Sequence, residues 1–336
     1  MMSLVHSLET LFLVHPLWLG GILFALSWVR PQPLVGAIDH GNRDRPLLVW
    51  AACGAAAVLG VALAIETLDV IPSIRFLQLF EPSAGWWLRS AAPLMTAVVM
   101  FAAAVILRSA RAEPAAARVI GPRRDWYAFG SAPAIWIGAI ASLQFSATSV
   151  WHGATPIEPR PLPDLMSGEL VSPNGNGAPA SAFGWASHAP ALAAVALLIC
   201  GTVWALSVNA NRALPGPGDE SSRRLVRRQA ARLLSWTALG GLLVTVGVAW
   251  TNAWAPSGWA TPVTSHDGTI GQFVGSDFWG ATQVLRYLGG AALATGTALL
   301  ARLGVDSLRA HRALRRRYRA EGPDPAAVLG GVEEGR

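Results

Sequence analysis

Imidazole is the side chain that most often ligates copper and zinc. Four of the seven histidines in this chain, His6, His152, His188 and His266, are predicted to fall on one side of a membrane topology. His152 closes one apolar run in Trp151-His152-Gly153, and His188 opens the next in Trp185-Ala-Ser-His188. Runs joined by a single loop are expected to be neighbours, with helix axes about 8–10 Å apart. Two imidazoles on adjacent helix ends can then share a metal held about 2.0–2.1 Å from each nitrogen. His6, entering the first run from the same side, is the expected third ligand, and Glu66 at the outer end of the second run is a carboxylate alternative. His152 and His188 also form the one pair that suits a second chemistry, axial ligation of a b-type haem, which needs facing imidazoles at matched depth. The same pair would serve a quinone protein, and the plainer alternative is a non-catalytic scaffold whose outer loops contact a partner and whose histidines are solvated helix caps. Sulfur offers little to a Cu(I) site: beyond Met1 and Met2 only Met95, Met100 and Met166 occur. Cys53 and Cys200 stand alone in apolar runs and are expected as small buried hydrophobes.

The elements that must position these residues are membrane helices. The chain is 52% hydrophobic and 14% charged, where soluble domains carry about 25% charged residues. Seven runs are long enough to cross about 30 Å of hydrocarbon. They lie near 8–29, 47–66, 86–107, 128–150, 188–208, 233–253 and 281–301. The expected fold is an all-α polytopic bundle of seven transmembrane helices within residues 1–319, followed by a disordered cytoplasmic tail over 320–336. The first run is not expected to be a signal peptide, because no basic segment precedes it and no small-residue cleavage site follows.

All 26 basic residues are arginine. They alternate by loop: Arg30, Arg43 and Arg45 after the first run, Arg108 to Arg124 after the third, Arg212 to Arg232 after the fifth, and Arg309 to Arg319 after the seventh. The intervening loops hold Glu66, Asp69 and Glu81, then Glu158, Asp164 and Glu169, then Asp267 and Asp277. The positive-inside rule therefore predicts the N-terminus outside and the C-terminus inside. An isoelectric point near 10.5 would suit nucleic acid, but arginines placed beside helix ends face a lipid surface, so the bilayer is the expected partner and nucleic acid is not. Trp86, Trp87, Trp151, Trp185, Trp250, Trp254, Trp259 and Trp279 gather at outer helix ends or in outer loops, as an interfacial belt requires.

Two outer loops are long, 151–187 and 254–280. The first is dense in Pro and Gly and the second in Gly, Ser and Thr, so turns rather than regular structure are expected. Short echoes precede three helices, in Ser83-Ala-Gly-Trp-Trp, Ser181-Ala-Phe-Gly-Trp and Ser276-Asp-Phe-Trp-Gly. They fit either repeated helix pairs or the ordinary grammar of an interface. No Walker A, HExxH, GxSxG or CxxCH motif is present, and no enzymatic activity is expected. Polar groups predicted at membrane depth are His15, Glu66, Arg89, Gln144, Asn252, Gln283 and Arg286, nearly all in the outer half.

Several of these segments together resemble the copper-resistance D family of bacterial membrane proteins. Trp18-Leu-Gly-Gly21 leading to Arg30-Pro31 is similar to that family's Trp-x-Gly-Gly helix, and Trp151-His152-Gly-Ala154 resembles its Gly-His-Ala at the outer end of the fourth helix. His188 matches the histidine that begins the next helix, and Phe278-Trp-Gly280 with Arg286 resembles a later helix start. The chain departs from the pattern in lacking a second Trp-x-Gly-Gly, in having no Gly before His152, and in showing seven runs where eight are usual. The resemblance implies copper transport or handling at the bacterial plasma membrane; His6, His152 and His188 are then the expected outer ligands, and an extracytoplasmic copper-binding protein is an expected partner.

The arginine asymmetry gives a direct test of topology. A reporter fused after Arg319 is expected to be active only in its cytoplasmic form, and one inserted within 165–178 only in its exported form. The reverse pattern overturns the sidedness.

Overall fold

The computed structural model describes residues 16–29, 34, 45–70, 86–109, 124–154, 185–212, 220–253, 258–264, 270–275 and 279–321. Seven α-helices lie in these segments: α1 (Pro16–Leu26), α2 (Arg45–Val70), α3 (Trp86–Ser109), α4 (Ala132–Ala154), α5 (Trp185–Asn211), α6 (Glu220–Ala253) and α7 (Trp279–Glu321). Six are long and apolar enough to cross a membrane, and α1 is a shorter apolar helix of 11 residues. The predicted N-terminal half of the first run, the loop within 155–184 and the tail beyond Glu321 lie outside the described residues.

Surface and interior are both apolar. Trp136 is 69% exposed and Leu143 71% exposed on α4, and Trp18 on α1 is 71% exposed. Large apolar side chains presented at this scale are unfavourable in water and favourable in lipid. The chain is a multi-pass integral membrane protein. The same physics corrects one expectation: Cys53 and Cys200 are exposed rather than buried. A small apolar residue gains as much from facing lipid tails as from facing the bundle, so hydropathy alone cannot assign its direction.

α6 lies at the centre, packing against α2, α3, α4, α5 and α7. Of its most apolar stretch 78% is buried, more than in any other described span. Its contact with α7 is a seam of glycines. A Cβ on Gly240 would fall 2.8 Å from Leu300, and one on Gly247 2.6 Å from the Leu293 backbone nitrogen. From the other side, a Cβ on Gly289 would fall 2.9 Å from Thr251 N, and one on Gly296 2.8 Å from Val244 N. Each helix thus presents two glycines seven residues apart, about two turns, and the backbones touch where any side chain would hold them apart. Gly241, one residue on, faces the side chain of Thr96 on α3, so adjacent glycines open α6 to two neighbours.

The buried hydroxyls of α6 are satisfied locally. Ser235, Thr237, Thr245 and Thr251 on α6 donate to the carbonyls of Ala231, Leu233, Gly241 and Gly247, at 2.8–2.9 Å. Thr96 and Thr202 do the same toward Ala92 and Leu198. In a medium without water this is the nearest acceptor that does not interrupt the helix.

Both α6 and α7 run past the predicted boundaries on the arginine-rich side. α6 begins at Glu220 rather than near 233, and α7 continues to Glu321 rather than stopping near 301. At 1.5 Å per residue, the 43 residues of α7 span about 65 Å, roughly twice the hydrocarbon thickness. Much of what hydropathy assigned to an arginine-rich loop and tail is therefore helix. The chain after α1 is pinned to this extension. Arg302 pairs with Asp306 at 3.2 Å, with both side chains at most 5% exposed. Asp306 accepts the backbone N–H of Leu34 at 2.9 Å, and Arg302 donates to the Ser27 carbonyl at 3.2 Å. The Trp28 ring is contacted by the guanidinium groups of Arg302 and Arg309, 3.7 and 3.9 Å from its centroid.

The segment between α6 and α7 departs from the expectation of turns. β1 (Gly258–Thr264) and β2 (Ile270–Gly275) pair antiparallel, with Trp259 opposite Val274 and Ala260 opposite Phe273. The register slips between Thr261 and Thr264. Pro262 falls in this interval, where its missing N–H cannot complete the ladder.

Gly247→Ala is expected to lower the unfolding temperature of the detergent-solubilised protein, at a cost of about 1–3 kcal/mol, because the added methyl meets backbone rather than a flexible side chain. Gly60→Ala, where nothing lies within 4 Å of the added Cβ, is expected to leave it unchanged or slightly raised. Equal responses in the two variants would show that the α6–α7 seam is not tightly packed.

Candidate functional site

The helices that carry His152 and His188 meet at one corner. α4 ends with Trp151, His152, Gly153 and Ala154, and α5 begins at Trp185. The Trp185 indole lies against Gly153, where an added Cβ would sit 3.1 Å from the ring. A larger residue at 153 would push the helix ends apart. His188 is three residues beyond Trp185, hence on the same face of α5 one turn further in. It is 4% exposed and is not without a partner. The backbone of His152 is placed beside Gly153, while its side chain lies outside what is described.

One turn below His152 the corner is braced from the centre of the bundle. The Trp250 Nε1–H of α6 donates to Thr148 Oγ1 on α4 at 3.1 Å, and Trp250 is 6% exposed. Thr148 in turn donates to the Gln144 carbonyl at 2.9 Å. Ser149, beside it, is 5% exposed.

The other sequence-predicted residues divide by position. His6, His15 and His266 lie outside the described residues, as do the side chains of Arg89, Asn252 and Gln283. Glu66 is half-buried and partnered on α2, which packs on α7, α3 and α6. That is a different part of the bundle from the α4–α5 corner. Gln144 faces outward, and Arg286 is half-buried and partnered. Among the described residues no three His, Cys, Asp or Glu side chains form a group able to hold a metal. What the structure brings together is the pair of helix ends that bear His152 and His188.

The chain matches no family model, no curated protein and no solved structure. The likeness to the copper-resistance D family rests on its short motifs alone.

A second polar constellation, at the arginine-rich end, escaped sequence reasoning. Asn211, the last residue of α5, accepts the backbone N–H of Arg124 at 3.0 Å and returns its own amide to the Arg124 carbonyl at 3.2 Å. Asn209 donates to the Arg227 carbonyl at 2.9 Å, and Arg227 Nη2 to the Arg212 carbonyl at 3.0 Å. Glu220 accepts from Arg124 at 2.9 Å and from Arg224 at 3.3 Å. The Arg124 and Arg227 guanidinium groups lie 5.7 and 5.9 Å from the Phe129 ring centroid. Nearby, the Tyr127 hydroxyl donates to Asp125 at 3.0 Å. That hydrogen bond, and then the carboxylate's charge, hold the phenol above its ordinary range. The available signal was Asn209 and Asn211 closing an apolar run beside Arg212, since amides near a helix end offer both donors and acceptors to an adjoining loop.

Thr148→Val removes the acceptor for Trp250 without changing side-chain shape. It is expected to cost about 1 kcal/mol in detergent unfolding and to move Trp fluorescence as the indole N–H loses its partner. A variant indistinguishable from wild type in both readouts would remove Thr148 from the support of the corner.

Proposed function

We propose that this membrane protein handles copper at the bacterial plasma membrane, taking the ion as cargo at the outer corner where α4 ends and α5 begins. His152 and His188 are the ligands, His6 completes the set from the start of the chain, and the N-terminus is outside with the C-terminus inside. The observation that carries this reading is the seating of Trp185 on Gly153, which brings a histidine-bearing helix end against a histidine-bearing helix start. Burial of His188 supports it, because an imidazole held out of water keeps a fixed orientation and loses little entropy on ligation. The motif likeness to the copper-resistance D family points to the same ion, and a donor set of nitrogen ligands suits copper and zinc. An extracytoplasmic copper-binding protein is the natural source or acceptor of the cargo at this face. Glu66 is the weaker candidate ligand, since α2 packs elsewhere.

Copper titration of the purified protein tests the proposal. His152→Gln and His188→Gln are each expected to weaken binding by about tenfold or more, with the double variant losing little beyond either single one. Ligation requires neutral imidazole, so binding is expected to be full above the ordinary histidine pKa and to weaken as pH falls through about 6.5. An absorbance scan of the same preparation separates the haem reading, which requires a Soret band. Absence of copper binding in the wild type, or losses that simply add in the double variant, would overturn the shared site.

A further inference from the structure

The arginine-rich end of the bundle encloses a guanidinium, that of Arg227, whose N–H groups are only partly filled. Arg212 is 6% exposed and Arg227 8% exposed, both within the protein. Arg227 Nη2 is satisfied by the Arg212 carbonyl, but its Nε and Nη1 are buried and donate to nothing. The charges that bear on it are those of Arg124, Arg212 and Arg223, against Glu220. Glu220, the carboxylate that bears on Arg227, is already engaged by Arg124 and Arg224. The neighbouring Asp125 accepts from Tyr127.

Arginines that merely set orientation look different. Arg224, one turn earlier on α6, has a side chain 69% exposed and reaches solvent freely. A guanidinium enclosed by protein with unfilled N–H groups is strongly unfavourable unless an anion completes it. The start of α6 adds to the demand, because a helix N-terminus carries partial positive charge. Phe129 presents its ring to two of the guanidinium groups.

We propose that Arg227, with Arg124, Arg212 and Arg223 around it, binds a phosphate-class anion, either the headgroup of an anionic phospholipid or inorganic phosphate. A tetrahedral oxyanion offers several acceptor oxygens at once and can satisfy more than one guanidinium, which a single halide cannot. The cluster lies where α5 ends and α6 begins, beside Trp126 and Phe129, at the level of an interfacial aromatic belt and of lipid phosphates. It is at the opposite end of the bundle from the histidine corner and does not depend on it.

The test uses the full chain in a maltoside detergent, followed by intrinsic fluorescence from its 15 tryptophans during heating. Phosphatidylglycerol, inorganic phosphate and sodium chloride are titrated separately, the last at matched ionic strength. A saturable rise in unfolding temperature with phosphatidylglycerol or phosphate, and none with chloride, is expected. A response to phosphatidylglycerol alone assigns the site to a lipid headgroup, and a response to inorganic phosphate as well assigns it to the free ion or both. Arg227→Gln is expected to shift the midpoint by about tenfold or more, and Arg228→Gln, at an exposed position of α6, to leave it in place. Should the Gln variant fail to fold, Arg227→Lys retains the charge but not the planar array of donors and is expected to bind several-fold more weakly. Flat titrations with both phosphate compounds, an equal response to chloride, or Arg227 variants that respond as wild type would each overturn the proposal.

Discussion

The fold depends on the backbone contact between α6 and α7. Lipid tails are as apolar as leucine, so helices in a membrane gain nothing from hiding apolar surface and must gain from close packing instead. Gly240, Gly247, Gly289 and Gly296 remove the side chains that would separate the two axes, and the adjacent Gly241 opens α6 to Thr96 of α3. With α6 held this way, its remaining faces carry α2, α4 and α5, while α7 carries α1 and also packs on α2. Gly20 of α1 repeats the device against α7, where a Cβ would fall 2.9 Å from the Ala294 carbonyl.

Polar contacts between helices are few in the middle of the bundle and concentrate at its ends. The buried hydroxyls of α6 return to their own helix, so they satisfy the low-dielectric interior without specifying a partner. One exception near mid-bundle is Trp50, whose Nε1–H donates to the Val99 carbonyl at 2.7 Å and ties α2 to α3. At the tryptophan-rich end, Trp250 and Thr148 tie α6 to α4. At the arginine-rich end, Arg302 and Asp306 hold the chain leaving α1, and α1 runs parallel to α7 because Gly20 meets Thr297 while Leu34 meets Asp306. A buried ion pair of this kind costs desolvation, which its hydrogen bonds to Ser27 and Leu34 offset. Its contribution is to fix where α1 docks.

This division gathers the polar contacts at the two ends and leaves the middle as packing. The histidine corner is shaped by an indole against a glycine, and the arginine cluster by asparagines that close α5. In both cases the residues that set the geometry are not those that would meet a ligand.

Apolar run length and the absence of charge determined α2 to α5 closely, because hydrocarbon thickness imposes a minimum on any span. The proximity of the His152 and His188 helix ends was also legible, since consecutive spans joined at one face tend to be neighbours. What the sequence did not reveal arose where hydropathy stops being informative. Glu220 to Arg232 and Arg302 to Arg317 are charged, so they read as loop and tail, yet helix continues through them. Cys53 and Cys200 read as core, because burial in protein and exposure to lipid have the same hydropathy. The hairpin at 258–275 was hidden by its Gly and Thr content and by Pro262 at its slipped register. The pairing of Arg302 with Asp306, and the enclosure of Arg227 by residues from α5 and the segment before α4, required the tertiary structure. Apolar periodicity reports how far a helix extends, whereas the partner of a polar group is set by which helices touch, and here that is decided by a few glycines.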